Sequence, residues 1–177
     1  NGGVITVVST TGGLTVTNTG AVNDVDAGTG VIQLEARGLN QVLTLNAGSD
    51  VESSGGITLI ADNMTLTGTV TGTGATVSLR QLTNGQLINL GGADGAGTLG
   101  LSSVELNNMT ASILKIGNGN TGNISISAAI APAGTTILSL ETVGTITQTA
   151  GSTITESSLG LRAAGAITLN EANDVGT

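Results

Sequence analysis

The sequence predicts an all-β chain coiled as a parallel β-solenoid of roughly eight turns, and three observations carry that expectation. Short aliphatic-x-aliphatic cores recur along the whole length. The chain holds no Phe, Trp or Tyr, although hydrophobic residues make up 38% of it. Its 29 glycines fall with Asn and Asp between those cores. A disordered chain would be charged and poor in aliphatics, so this one is read as folded. An interior without aromatics must be narrow, because Phe and Trp bury the most area per residue.

The repeats give the elements in order. One series of cores begins at Ile5, Ile32, Ile57, Val77, Leu99, Ile124, Ile146 and Ile167. A second begins at Leu14, Leu43, Met64, Ile88, Leu114, Leu138 and Leu159, interleaved with the first. Less regular third members are Val25, Val51, Val70, Ile130, Ile154 and Val175. Within Ile57-Thr58-Leu59, Val77-Ser78-Leu79, Ile124-Ser125-Ile126 and Ile167-Thr168-Leu169, two aliphatics flank one hydroxyl residue. Side chains alternate faces along a strand, so the aliphatics point inward and Thr or Ser outward. Gly56, Gly122 and Gly165 precede such strands, where a corner wants positive φ or no Cβ. The last stretch, Gly144–Thr177, shows the same alternation at Ile146, Ile154, Leu159–Leu161 and Ile167–Leu169, with nothing helical in period. Coils stacked ~4.8 Å apart would form a rod about 38 Å long, like residues lying over like. Asn46, Asn63 and Asn170 are candidates for side-chain ladders at the turns. The competing architecture is an antiparallel β-sandwich, whose hairpins need two-residue turns at regular places.

The chain is read as one solenoid segment, 1–177. It opens on Asn1-Gly2-Gly3 without Met, which suggests an excised or mature piece. A lone solenoid needs polar caps on its exposed coil edges, and none is evident here. The expected partners are therefore adjoining repeats of a longer array, or copies of the chain stacked end to end or side by side.

Charge and composition exclude several classes. The net charge is −8, with four basic residues, Arg37, Arg80, Lys115 and Arg162, isolated from one another in sequence. Nucleic acid needs a clustered basic surface, so no nucleic-acid partner is expected. No apolar run approaches the ~18 residues of a spanning helix, and no membrane insertion is expected. No signal peptide is evident. The absence of Cys removes disulfide frameworks and thiolate metal sites.

Candidate chemistry is sparse. Asp24-Val25-Asp26 places two carboxylates on one strand face, a pattern open to an acid/base pair or Ca²⁺ but ordinary in a solvated turn. Gly91-Gly92-Ala93-Asp94-Gly95 resembles a Ca²⁺-binding β-roll turn, but it lacks the nonapeptide and any tandem copy. Asn84-Gly85 and Asn118-Gly119 are turn signals. Thr15/Thr17, Thr65/Thr67, Thr145/Thr147 and Thr153/Thr155 form Thr-x-Thr pairs of the kind some solenoids array against ice. Their unequal steps argue against one face, and strand propensity accounts for them. No catalytic, cofactor-binding or metal-ligating residue is expected, no cofactor is called for, and the chain is not expected to be an enzyme.

Leu82–Ile130 carries a resemblance. The phrases INLGG-x-D-G-x-GTLGLSS-x-EL, MTAS-x-LKIGN and TGNISISAAI, followed by TITQTAGSTIT and LRAAGAITLNEANDVGT, look like repeats of filamentous-haemagglutinin-like bacterial exoproteins and related giant adhesins. The likeness covers 82–177 well and the rest in texture. It implies a right-handed parallel β-helix, secretion to the bacterial cell surface, and service as an adhesive or fibrous stalk. The expected function is thus a structural segment of a secreted surface fibre or adhesin. The alternatives are a carbohydrate- or ice-binding solenoid module, with surface glycans of host or neighbouring cells as partners, and a polysaccharide-degrading β-helix enzyme.

Overall fold

The computed structural model describes residues 2–20 and 22–176. Asn1, Ala21 and Thr177 lie outside the described residues, Asn1 with the opening Asn-Gly-Gly and Thr177 with the end of the last repeat. In chain order the first strands are β1 (Ile5–Ser9), β2 (Leu14–Val16), β3 (Val25–Asp26), β4 (Ile32–Ala36), β5 (Val42–Leu45) and β6 (Asp50–Glu52). Next come β7 (Ile57–Ile60), β8 (Asn63–Leu66), β9 (Thr69–Arg80), β10 (Leu87–Leu90) and β11 (Thr98–Leu101). A short helix, α1 (Ser103–Asn107), leads into β12 (Met109–Gly117). The chain closes with β13 (Ile124–Ile126), β14 (Thr135–Thr142), β15 (Ile146–Gln148), β16 (Thr155–Glu156), β17 (Ser158–Ala163), β18 (Ile167–Thr168) and β19 (Asp174–Val175).

The strand ladders of the described residues are parallel; the antiparallel contact is the isolated bridge Gly95–Thr98. That pattern fits a repeat built as a solenoid and leaves no hairpin framework for a sandwich. Three sides can be traced. Side one is the path β1-β4-β7-β9-β12-β14-β17. Its register stacks Ile5, Ile32, Ile57, Val77, Leu114, Leu138 and Leu159. Two residues further on it stacks Val7, Leu34, Leu59, Leu79, Ile116, Leu140 and Leu161. Side two is β2-β5-β8 and, beyond it, β11-β10-β13-β15-β18. Side three stacks Val25, Val51, Val70 and Met109, and later Ile130 on Ile154.

All three sides send aliphatics into one continuous core, which runs from Ala27 to Ile154 and is flanked by half-buried Ile5, Leu14, Leu159 and Leu161. Burying each Val, Leu or Ile contributes roughly 1.5–3 kcal/mol. The alternation expected for Ile57-Thr58-Leu59 and its relatives is present in three of the four triplets: Ile57, Leu59, Val77, Leu79, Ile124 and Ile126 are buried, while Thr58, Ser78 and Ser125 are half-buried on the outside. It is not met at Ile167-Thr168-Leu169, where Ile167 is exposed and Leu169 only half-buried, β18 having a ladder neighbour on one side alone among the described residues. Gly56 adopts φ +115, as a corner residue should.

Two further expectations fail. The two series of cores do not keep to separate sides. Val77 is followed on side one by Leu114, not Leu99, and Leu99 pairs with Ile88 on side two. The reason is the fourth coil. Successive side-one steps are 27, 25 and 20 residues, then 37, then 24 and 21. The long step contains an extra strand and the helix, so equal spacing in sequence stops meaning the same side. The amide ladder expected at Asn46, Asn63 and Asn170 is also not formed. Asn63 donates to the Asn40 carbonyl (3.0 Å), and the amide pairs that do stack are Gln81 on Asn118 (3.2 Å) and Gln148 on Asn173 (2.6 and 3.1 Å). Gln148 can do this because it occupies the position above Ile126, where the half-exposed last coils no longer demand an aliphatic.

Candidate functional site

The most constructed polar feature lies where side two is interrupted. β11 lies beside β8, but no ladder joins them among the described residues. In a parallel sheet alternate residues of β8 aim their amides at the missing neighbour. Two carboxylates replace it. Asp94 Oδ2 accepts the Met64 N–H (3.0 Å) and Oδ1 accepts the Gly100 N–H of β11 (2.8 Å). Glu105 Oε1 accepts the Leu66 N–H (3.1 Å), while Oε2 accepts from the Ser102 N–H (2.9 Å) and hydroxyl (2.8 Å). Asn108 Nδ2 donates to the Leu66 carbonyl (2.8 Å).

Local chemistry puts these groups there. Ser102 caps α1 and Glu105 sits at its third position, a complete capping box. Asp94 rides on the loop joining β10 to β11, which folds over Gly100. A Cβ on Gly100 would lie 2.0 Å from the Ala93 carbonyl carbon, so only glycine fits. Asp94 as a residue is exposed, yet its carboxyl end is half enclosed. That enclosure pushes its pKa up to about 6, against the pull of the Gly100 and Met64 amides and with a smaller push from Glu105. Depressions of about 400 and 370 Å³ flank it, bounded by Asn63, Thr65, Asp94 and Glu105 among others. Each placed oxygen is aimed at a main-chain or Ser102 donor. The geometry is that of a clasp holding two strands, not of a free acid and base.

The sites expected from sequence resolve as follows. Val25 points to the core and Asp24 and Asp26 outward, as expected. Both carboxylates organise turns. Asp24 Oδ1 accepts from the Thr19 N–H and hydroxyl (2.8 Å each), which holds its pKa below the ordinary value, and Asp26 accepts the Gly28 N–H (2.6 Å). Asp94 of the Gly91–Gly95 stretch is spent in the clasp. Asn84-Gly85 and Asn118-Gly119 form turns. Among the described residues no three of His, Cys, Asp or Glu converge as a metal-holding group.

The threonines need a correction. Thr15, Thr65 and Thr147, one from each of three Thr-x-Thr pairs, do share a face. The register aligns Thr15, Thr44 and Thr65 below the interruption. Above it, Asn89, Ser125, Thr147 and Thr168 align. Thr155 falls on side three, opposite Asp174. Unequal sequence steps hid the alignment because loop lengths differ while coil height does not. The column is not flat throughout, since at Gly100 the overlying loop covers it.

Sequence reasoning missed Glu156. It is buried on side three, where Oε2 accepts from the Thr135 hydroxyl (2.7 Å) and Oε1 from the Ser157 N–H (2.8 Å). It borders a depression of about 330 Å³ with Pro132, Ser157 and Asp174. Its sequence context, Thr155-Glu156-Ser157, is that of an ordinary strand end and gave no signal. The clasp had one: Ser102-Ser103-Val104-Glu105 is a capping-box spacing. Among the described residues no helix is long and apolar enough to cross a membrane. Known family models, curated proteins and solved structures gave no match to this chain.

Proposed function

We propose that the chain is a structural segment of a secreted bacterial cell-surface fibre or adhesin stalk, which acts through stiffness and not through catalysis. In this reading residues 1–177 form one right-handed parallel β-helix. The seven strands of side one, with the additional strand of side two in the long step, support a count close to the roughly eight turns expected from spacing. The observation that carries the reading is the unbroken aliphatic stack of side one, in which each coil completes the main-chain bonds and the packing of the next. The resemblance of Leu82–Ile130 to giant exoprotein repeats supports the extracellular setting. Adjoining repeats or further copies are the natural partners for the outermost strands β1 and β17, which have one ladder neighbour each and carry half-buried aliphatics.

Electron microscopy of the purified chain with fibre diffraction tests this. Narrow rods with a meridional spacing near 4.8 Å are expected. Round particles, or turnover of surface polysaccharides by the chain, would overturn it. The aligned Thr15–Thr44–Thr65 and Ser125–Thr147–Thr168 columns favour a second reading, a carbohydrate- or ice-binding face. Thermal hysteresis and glycan-array binding, both lost on Thr44→Val with Thr65→Val, would support that reading over the first.

A further inference from the structure

The sequence scatters its four cations, but the fold gathers them. Arg37 directly follows β4, Arg80 ends β9, Lys115 lies in β12 and Arg162 in β17, all strands of side one. Alternation with the inward Leu79, Ile116 and Leu161 turns Arg80, Lys115 and Arg162 to the outer face of that side, with Lys115 beside Ser78 and Ser139, Arg162 beside Glu141, and Arg80 beside Ile60, which is buried outside the shared core. Of the twelve acids, Glu35 and Glu141 share that surface, and Asp62, which stands after β7 as Arg37 does after β4, is buried at the corner and accepts from Asn40 and Thr83. Counting all three, side one carries a formal +1 and the remainder of the chain −9.

Three of the four cations are compensated. Arg37 pairs with Glu35 (2.7 Å), and Lys115 and Arg162 both reach Glu141 (2.6 and 2.9 Å). Arg80 has no ion pair or side-chain hydrogen bond among the described residues. It borders a depression of about 280 Å³ lined by Gln33, Thr58, Ser78, Lys115 and Asn118, all donors. Side three shows the opposite sign. Val25 over Val51 puts Asp26 beside Glu52, and the Asp24 N–H bonds the Asp50 carbonyl (3.1 Å). Four carboxylates thus cluster in two adjacent coils with no cation paired to them among the described residues. A depression of about 340 Å³ opens there between Asp26, Glu52, Thr29, Ser54 and Thr73.

We infer that copies of this chain associate side by side, the Arg80–Lys115 face of one against the Asp26–Glu52 side of the next. The inference rests on the rod reading above. Two molecules at −8 repel at a distance, and any pairing of like faces brings like charges together. Only the unlike pairing is attractive. Such a contact is heterologous and does not close on itself, so it grows into lateral arrays. Asp26 and Glu52 stand one coil height, ~4.8 Å, apart in register, and Arg80 and Lys115 lie on adjacent coils two residues apart along the strand, so parallel rods can bring the two pairs opposite each other. The contact is small and screened by salt, which makes it weak and ionic-strength dependent.

Sedimentation velocity of the full chain at about 20 mM and about 0.5 M NaCl is the test. Weight-average mass rising about twofold or more at the lower salt and returning to monomer at the higher is expected. Arg80→Glu with Lys115→Glu should abolish the rise, and so should Asp26→Lys with Glu52→Lys, circular dichroism reporting that each still folds. An equimolar mixture of the two charge-reversed chains should associate again. Monomer at both salts, association indifferent to both variants, or no recovery in the mixture would overturn the inference. So would tight binding of polygalacturonate at Arg80 with no self-association, which would make an acidic polymer the occupant. Rods that stay single at low salt would sink this inference alone; an absence of rods would sink the reading beneath it.

Discussion

Side one and side two face the same aliphatic interior but are joined differently along their length. On side one each strand from β4 to β14 bonds main chain to main chain with the coils below and above. On side two the ladder stops at β8 and resumes at β11, and the carboxylates of Asp94 and Glu105 stand in for the missing strand's carbonyls. The interior does not share the interruption: Met64, Leu66, Leu99 and Leu101 are as buried at the gap as Leu79 and Leu114 are on the continuous side. Apolar packing needs only filled volume, whereas a ladder needs donors and acceptors at fixed height. A carboxylate supplies acceptors on a flexible arm, so it can bridge a gap that a strand cannot.

The largest effects should come from the interior that both sides share. Leu114→Ala removes a fully buried side chain between Val77 and Leu138 and should cost about 2–5 kcal/mol in urea unfolding. Leu99→Ala, beside the gap but equally buried, should cost about as much, because the interior is packed alike on both sides. A clearly smaller loss would show that the interruption of the main-chain ladder reaches the interior.

Glu105→Ala acts on the main chain directly. It leaves the Leu66 N–H without its acceptor and dismantles the α1 capping box, for an expected loss of about 1–3 kcal/mol. Hydrogen exchange should sharpen the point. The Met64 and Leu66 amides should exchange faster than those of Leu59 and Leu79 even in the native chain, and faster still in the variant. Equal protection on both sides would show the clasp to be as tight as a ladder.

The sequence made the continuous side legible and the gap illegible, for a physical reason. Ile57-Thr58-Leu59 and Val77-Ser78-Leu79 announce strand, phase and inward face, because alternation is written in adjacent residues. Which strand lies over which is not so written. It depends on loop length, and one 37-residue step moved Leu114 onto the side where Leu99 was expected. The Thr column was misread for the same cause. The clasp sat in plain sight as Ser102-x-x-Glu105, but its role in bonding β8 depends on a strand 39 residues earlier in the chain.

Titration separates the sides next. Asp94 has its pKa raised to about 6 by enclosure, so the folded chain holds this proton more tightly than the unfolded chain. Its contribution to stability is full below the unfolded value near 4 and is lost as pH rises through about 6. Asp94→Asn should flatten that part of the stability–pH curve, read as urea midpoints between pH 4 and 7. A curve unchanged by the substitution would mean that the clasp carboxyl is effectively solvated.

The smallest effect, and the one of opposite sign, belongs to Glu141 on side one. The Lys115 hydrogen bond first, and the charges of Lys115 and Arg162 after it, hold its pKa below the ordinary carboxylate value against the opposing cost of partial burial. Its contribution is therefore present above the unfolded value and lost as pH falls through the lower folded one. Glu141 pairs in register with Arg162 and lies two residues beyond Ser139, the partner of Lys115, so the trio ties three consecutive coils through side chains alone. Arg162 is 82% exposed, and Arg162→Ala should cost no more than ~0–1 kcal/mol, vanishing in high salt. If instead that substitution rivals Glu105→Ala, ion pairs on the outside of the continuous side hold coils together as firmly as the carboxylates that fill the gap. The contrast would then lie in where charge is placed and not in which bonds close the stack.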